Sequence, residues 1–425
     1  MEPSRRLALD EIDLSDFEFW TRPYEEREAA FLTLREEDPI RFFEEPMVEV
    51  LPPGPGYYAL TRHADVLEAS KHPQLFCSGR GTNIGDMPPD FLEFLGSMIN
   101  MDDPKHARMR RIVSRGFTPR QLDQMKGDVE ATAAGIVDDV IERGEGDFVT
   151  DIAATLPLRI IVDMMGIPRS QEEFIFDRTN VILGLGDAEY VPDQTEGGVM
   201  TALLTAAQDL SLLITELGEA RVKDPKDDVT SALVTAEVDG ETLSPAELAS
   251  FFILLVVAGN ETTRNAIAHG LLALTQHPEQ RDLWAADFDR LAPTAVEEIV
   301  RWATPVIHFR RTVTEAGARI GDKTFQEGDK VVLWYASANR DAEVFKDPFT
   351  FDVRRTPNDH LGFGGPGPHF CLGAHLARRE ITVMFKELFN RMPDIRSVGE
   401  PARLQSNFIN GIKHLDAAWT PAAAS

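Results

Sequence analysis

The sequence predicts a mainly α protein with a small β subdomain. Three observations lead there. Long proline-free stretches opened by helix-start signals take up much of the 425 residues. Stretches with strand character are few and short. No Gly/Ser linker, long charge run or internal repeat divides the chain, so a single domain over residues 1–425 is expected.

Taken in order, Val48–Leu51 and Tyr57–Thr61 read as short strands around the turn cluster Leu51-Pro-Pro-Gly-Pro-Gly56. Thr118-Pro-Arg-Gln-Leu opens a helical stretch that runs past Ile141. Ser244-Pro245-Ala-Glu247 is a strong start: Ser as N-cap, Pro at the first helical position, Glu at the third. No proline follows until Pro278, which gives a helix of about 32 residues, roughly 48 Å long. Its middle, Phe251–Ala258, is apolar on every side and belongs in the centre of the molecule. Thr294-Ala-Val-Glu297 repeats the capping pattern and predicts a short helix ending before Pro305. Arg319–Ile320 and Lys330–Tyr335 are further short strands, and Cys371–Met392 reads as a last helix.

Composition narrows the function. The balance of 43 Lys+Arg against 70 Asp+Glu leaves −27, which makes nucleic acid and anionic membrane poor partners. Two cysteines form no disulfide framework and suit a reducing compartment. The first residues lack the apolar run of a signal peptide. The longest strongly apolar run, Phe251–Gly259, is too short for a bilayer core of about 30 Å. A soluble, cytoplasmic protein without a membrane span is expected.

The chemistry concentrates in Leu361-Gly-Phe-Gly-Gly-Pro-Gly-Pro-His-Phe-Cys-Leu-Gly373. Its glycines allow sharp turns and close approach. Cys371 follows at an expected helix start, where free N–H groups stabilise a thiolate, and a thiolate is a metal ligand. Several readings fit these residues. The cysteine can be a small buried side chain without chemistry. His369, Cys371 and His375 have plausible zinc spacing. Gly362-Phe-Gly364-Gly-Pro-Gly367 matches a dinucleotide fingerprint, although no strand precedes it and no βαβ unit follows.

The same segment resembles the haem-binding loop of the cytochrome P450 family, Phe-Gly-x-Gly-x-His/Arg-x-Cys-x-Gly. Gly365, Gly367, His369, Cys371 and Gly373 fall on it; Phe363 lies one residue early, with Gly364 in its usual place. Other segments resemble the family in order and spacing. Ala258-Gly259-Asn-Glu261-Thr262 is similar to the oxygen-activation motif, Glu298-Ile-Val-Arg301 with Arg355 to the structural lock, and His106-x-x-x-Arg110 to a haem propionate site.

The resemblance implies the P450 fold and haem b (heme b) ligated by Cys371. It implies Phe363 and Gly365 in the turn under the iron, and Gly259 leaving room beside it. Propionate contacts would come from His106, Arg110, Arg311 and His369. Thr262 would hold a water, and Glu261 would help relay protons to O2. Glu298, Arg301 and Arg355 would be structural. With no flavin or iron–sulfur motif present, a ferredoxin and its reductase would supply electrons. Arg108, Arg110, Arg111, Arg378 and Arg379 would form a basic patch for that partner.

Longer phrases, among them Leu291–Trp302 and Phe408-Ile-Asn-Gly-Ile-Lys413, resemble actinobacterial members that oxidise methyl-branched lipids and sterol side chains. They imply insertion of one oxygen atom of O2 into a terminal C–H. The pocket would be apolar and formed by Met87, Phe91, Phe94, Met98, Val257, Ala258, Val306 and Phe408, each of which is as readily ordinary core. A terminal methyl has the stronger C–H bonds, so its choice requires a narrow approach, assigned to Ala258, Gly259 and Val306. Competing readings are hydroxylation of a terpene or steroid ring, a haem sensor or carrier without turnover, and a zinc-binding interaction protein.

Overall fold

The computed structural model describes residues 3, 5–45, 54–114, 126–236, 240 and 242–423. The strand expected at 48–51 and the opening of the stretch at Thr118 lie outside them.

The main sheet contains β1 (Ile40–Phe43), β2 (Tyr57–Leu60), β3 (Phe76–Cys77), β4 (His308–Val313) and β5 (Lys330–Trp334), in the order β1-β2-β5-β4-β3. β2 and β5 run parallel, and the other neighbours are antiparallel. Strands were expected at β2 and β5; Tyr335 instead opens a short helix, Tyr335–Ala338. β4 was not expected. Its His-Phe-Arg-Arg-Thr-Val lacks apolar alternation, yet almost all of it is buried. The alternation is in destination. Phe309 and Arg311 share one face of the strand and line the central cavity, whereas Arg310 turns to the other side and bonds Gly81 O, Ile84 O and Asp86. The predicted piece Arg319–Ile320 pairs with Lys323–Thr324 in a separate ribbon.

The helices that frame the cavity are α1 (His63–Lys71), α2 (Pro89–Gly96), α3 (Lys105–Val113), α4 (Lys126–Val140), α5 (Thr155–Met165), α6 (Glu172–Leu183), α7 (Glu196–Lys223), α8 (Pro245–Gln276), α9 (Phe288–Ala303) and α10 (Ala374–Arg391). α8 has the predicted start. Ser244 Oγ accepts from Glu247 N at 3.2 Å, and the Glu247 carboxylate accepts from Ser244 N at 2.8 Å. It runs through the interior and touches α2, α5, α6, α7, α9 and α10. By length and composition α7 and α8 could each cross a bilayer; here they pack against one another, and most of the buried side chains of the protein's centre belong to α8 or face it.

Two boundaries differ from expectation. The short helix expected at Thr294 is part of α9, which starts earlier and contains Pro293. Thr294 Oγ1 donates to Leu291 O and Val353 O rather than capping. Pro293 is the sixth residue of α9, past the first turn, so its missing N–H forfeits one i→i−4 bond, to Asp289 O. α9 ends as expected before Pro305, with Thr304 left-handed at φ 37°. α10 begins at Ala374 with Gly373 as N-cap, so Cys371 sits in the loop and not in the first turn.

Candidate active site

The loop before α10 is built around its main chain. Cys371 N–H donates to Phe363 O at 3.0 Å, and Arg110 on α3 reaches across to bond Pro368 O (2.9 Å) and Phe370 O (2.7 Å). Gly364 (φ 83°) and Gly367 (φ 150°) take conformations that L side chains rarely adopt. A Cβ at Gly367 would lie 2.5 Å from Ser70 O at the end of α1, so the loop also needs glycine for close approach. The Cys371 side chain is exposed, but to the interior cavity that it lines. Enclosure by protein pushes its thiol up, opposed by the Gly373 N–H and the Arg110 and Arg378 guanidiniums.

Opposite the loop, α8 presents Phe251, Leu254, Leu255, Ala258, Gly259, Thr262, Thr263 and Ala266 to the cavity. These recur every three or four residues, one stripe of a 3.6-residue helix. Thr262 is on the stripe; its Oγ1 donates to Ala258 O at 2.7 Å. Glu261 is off it, about 100° round. Its buried carboxylate pairs with Arg264, accepts from Asn265 Nδ2 at 2.9 Å, and leaves Oε2 unpartnered. Arg264 also bonds Asn180 on α6 at 2.9 Å. Met98, Ile99, Ile161, Met164, Val306 and Phe309 complete the apolar wall. Glu380 on α10 also lines the cavity. Burial pushes its carboxyl up to about 8, opposed by its bond to Thr263.

A profile of the cytochrome P450 family matches residues 169–392. The methyl-branched lipid omega-hydroxylase of Mycobacterium tuberculosis is 51% identical over 98% of this chain and 97% of its own length. The chain belongs to the cytochrome P450 family. The steroid C26-monooxygenase of Mycolicibacterium smegmatis is 38% identical over 92% of this chain and 90% of its own. A solved Mycobacterium marinum cytochrome P450, in complex with pseudoionone, superposes with a TM-score of 0.91 at 41% identity, covering 98% of this chain and 100% of that one. The protein is therefore a cytochrome P450 monooxygenase, whose cofactor is a thiolate-ligated haem.

The residues present fit that cofactor. Cys371 opens a sulfur onto the cavity. Near it, His369 and Arg311 line the wall, and His106 stacks on His369 with ring centroids 4.4 Å apart. Burial, Arg311, His106 and Arg110 together hold the His369 imidazole down to about 2. A carboxylate placed among these groups would be stabilised by all of them. His106 Nε2 is a buried polar atom without a partner, which suits a propionate oxygen. Arg110 stands differently from expectation, since two of its nitrogens hold the loop carbonyls. Phe363 lines the cavity and lies beneath the Arg378 guanidinium. A Cβ at Gly365 would press on Ser70, 2.8 Å away. Gly259 faces the cavity, but a Cβ there would meet Ile161 Cδ1 at 2.7 Å. Its small size thus answers to α5 as well as to the cavity.

Several expected residues stand elsewhere. Of the eight assigned to the substrate pocket, Met98, Ala258 and Val306 line the cavity. Val257 and Phe94 pack into the neighbouring apolar cluster, Val257 because it is one residue off the α8 stripe. Met87 and Phe91 are half-buried outside the wall. Phe408 stacks behind, between His308 (5.6 Å) and Phe309 (5.5 Å). The missed lining residues Phe251, Leu254 and Leu255 were available by projecting the helix stripe from Thr262. Ile161, Met164 and Phe309 had no local signal. The zinc reading finds no support, because no group of three His, Cys, Asp or Glu ligands converges among the described residues.

The lock residues meet in the interior. Glu298 accepts from Arg301 Nε and Nη2, both at 2.8 Å, and from Arg355 Nε at 3.0 Å. Arg301 also bonds Asn339 O and Pro348 O at 2.9 Å, tying α9 to the segment that leads into the cysteine loop. Four of the arginines expected in a basic patch have partners within the chain. Arg108 pairs with Glu247, Arg378 with Glu297 and Arg379 with Glu130, while Arg110 holds the loop.

Proposed function

We propose that this P450 hydroxylates the terminal (omega) carbon of methyl-branched lipids, isoprenoids or sterol side chains. The observation that carries the reading is the cavity wall facing Cys371. Phe251, Leu254, Leu255, Ala258, Met98 and Ile161 dominate it; Thr262 and Thr263 are the hydroxyls that α8 adds, and Ser70, Arg311, Tyr335, His369 and Glu380 are the other polar side chains lining the cavity. A hydrocarbon chain is the ligand that such a wall desolvates without leaving buried polar groups unpaired. The names of the relatives and the ligand of the M. marinum structure agree with this class.

Bound haem supplies O2 activation and the oxidant for C–H hydroxylation. The chain supplies position and protons. Cys371 donates its sulfur, supported by the Gly373 N–H. Ala258, Gly259 and Val306 narrow the approach so that a chain tip enters first. The Thr262 hydroxyl, already donating to Ala258 O, keeps its lone pairs for a water held in the cavity. Glu261 lies off the cavity stripe with its carboxylate held by Arg264 and Asn265, so its part in relaying protons to that water requires this pairing to open. Electrons come from a ferredoxin and its reductase, and the protein acts in the cytoplasm.

The test is product analysis after turnover with phytanic acid, farnesol and cholestenone. Terminal alcohols are expected. Ring hydroxylation, or no product and no Soret shift with any of the three, would remove the omega-hydroxylase reading. Replacing Thr262 by Ala should uncouple electron use from product by roughly tenfold or more; unchanged coupling takes Thr262 out of proton delivery.

A further inference from the structure

Glu297 neighbours the lock residue Glu298 on α9 but serves a different set of partners. Its carboxylate accepts from Arg378 Nε at 2.5 Å and from Nη2 at 3.0 Å. His360 Nε2 lies 2.8 Å from the same carboxylate, and His360 Nδ1 accepts from Gly362 N–H at 3.1 Å. The fork pins Arg378 in one orientation. Its guanidinium then covers the Phe363 ring, 4.4 Å from the centroid. Phe363 O in turn accepts the Cys371 N–H. An unbroken line of contacts thus runs from a carboxylate on α9, through a guanidinium on α10, to the main chain of the ligand residue. Phe363 stands one position earlier than the family pattern places its aromatic, with left-handed Gly364 after it. The ring packs on the central apolar cluster, near His360 at 5.9 Å, and Arg378 covers it.

Charge acts along the same line. Arg110 is held by loop carbonyls, whereas Arg378 has its own counter-ion and covers the ring of the residue whose carbonyl accepts the Cys371 N–H. A cation held beside the ligand loop lowers the electron density that a sulfur there can donate.

We propose that Glu297, Arg378 and His360 form a positioning unit that seats Phe363 behind Cys371 and sets how strongly the thiolate donates to the haem iron. Arg378 belongs to this unit and not to a docking surface for the electron donor. The proposal rests on thiolate ligation of the haem, for which the carbon monoxide spectrum of the parent holoprotein is a separate check.

The test compares holoproteins carrying Arg378→Gln, Arg378→Lys and Arg379→Gln. The haem midpoint and the position of the ferrous carbon monoxide band are measured for each. Arg378→Gln should move the haem midpoint to more negative potential and shift the carbon monoxide band from its parent position. Arg378→Lys restores charge without the fork, so both shifts should be smaller. It carries the test alone if the Gln variant loses haem, and parent values for it then overturn the proposal. Arg379→Gln removes the same charge one residue on, from a side chain paired with Glu130, and should leave both readings at the parent value. Equal shifts in the Arg378→Gln and Arg379→Gln variants would reduce the effect to general surface charge and overturn the proposal. So would a weakened KM for ferredoxin in Arg378→Gln with parent potential and spectrum, which is the signature of docking.

Discussion

On the cysteine side of the cavity, position is set by hydrogen bonds and ion pairs. Cys371 N–H, the loop carbonyls and Arg110 are joined at 2.7–3.0 Å, and Glu298, Arg301 and Arg355 are joined at 2.8–3.0 Å in a separate cluster. On the α8 side, position is set by the packing of apolar side chains, and few polar atoms face the cavity. The contrast follows from what each side handles. A charged, planar cofactor needs fixed donors, since a misplaced donor leaves a buried charge unpaired. A hydrocarbon substrate needs shape, and shape tolerates exchange of one apolar residue for another.

Substitutions on the two sides should therefore fail differently. Cys371→Ser has the largest expected effect: turnover falls below detection and the red-shifted band of the reduced carbon monoxide complex disappears. Glu298→Gln comes next. It leaves Arg301 and Arg355 buried without a counter-charge, a loss of about 3–5 kcal/mol, read as a lower urea midpoint or as failure to accumulate folded protein. Leu254→Ala acts on the other side. It should fold and bind haem normally, while the ratio of terminal to subterminal alcohol falls by roughly tenfold. An unchanged ratio would mean that Leu254 plays no part in guiding the chain tip.

The smallest effect is a pH slope. Glu380 ionises near 8 in the folded protein and close to 4.5 when unfolded. The folded state therefore holds the proton longer, and stability is lost as pH rises from about 4.5 through 8. Glu380→Gln removes that slope. Its gain in Tm over the parent should be greater at pH 8 than at pH 5; an equal gain at both would place the Glu380 carboxyl among ordinary, solvated acids.

The same contrast decides what could be read in advance. Capping signals foretold α8 almost to the residue, because Ser244 and Glu247 act locally. The cysteine loop was legible because close approach and left-handed turns demand glycine at fixed spacing. β4 was not legible: Arg310 is buried for partners far away in sequence, Gly81, Ile84 and Asp86, and Arg311 is buried because it lines the cavity. The ion-pair partners of the arginines in the expected basic patch were not legible for the same reason, since the acids that pair with Arg108, Arg378 and Arg379 come from other helices. On the substrate side, Phe94 and Val257 are no less apolar than Leu254 and Ile161. Only the rotation of α8 and the placement of α5 separate wall from core.

Arg110 holds Pro368 and Phe370 by their carbonyl oxygens. A clasp on main-chain atoms is indifferent to the side chains those positions bear. Phe370, 39% exposed, can thus be exchanged over evolution while the sulfur beside it stays in place. The outer face of the loop is free to vary without moving the ligand it carries.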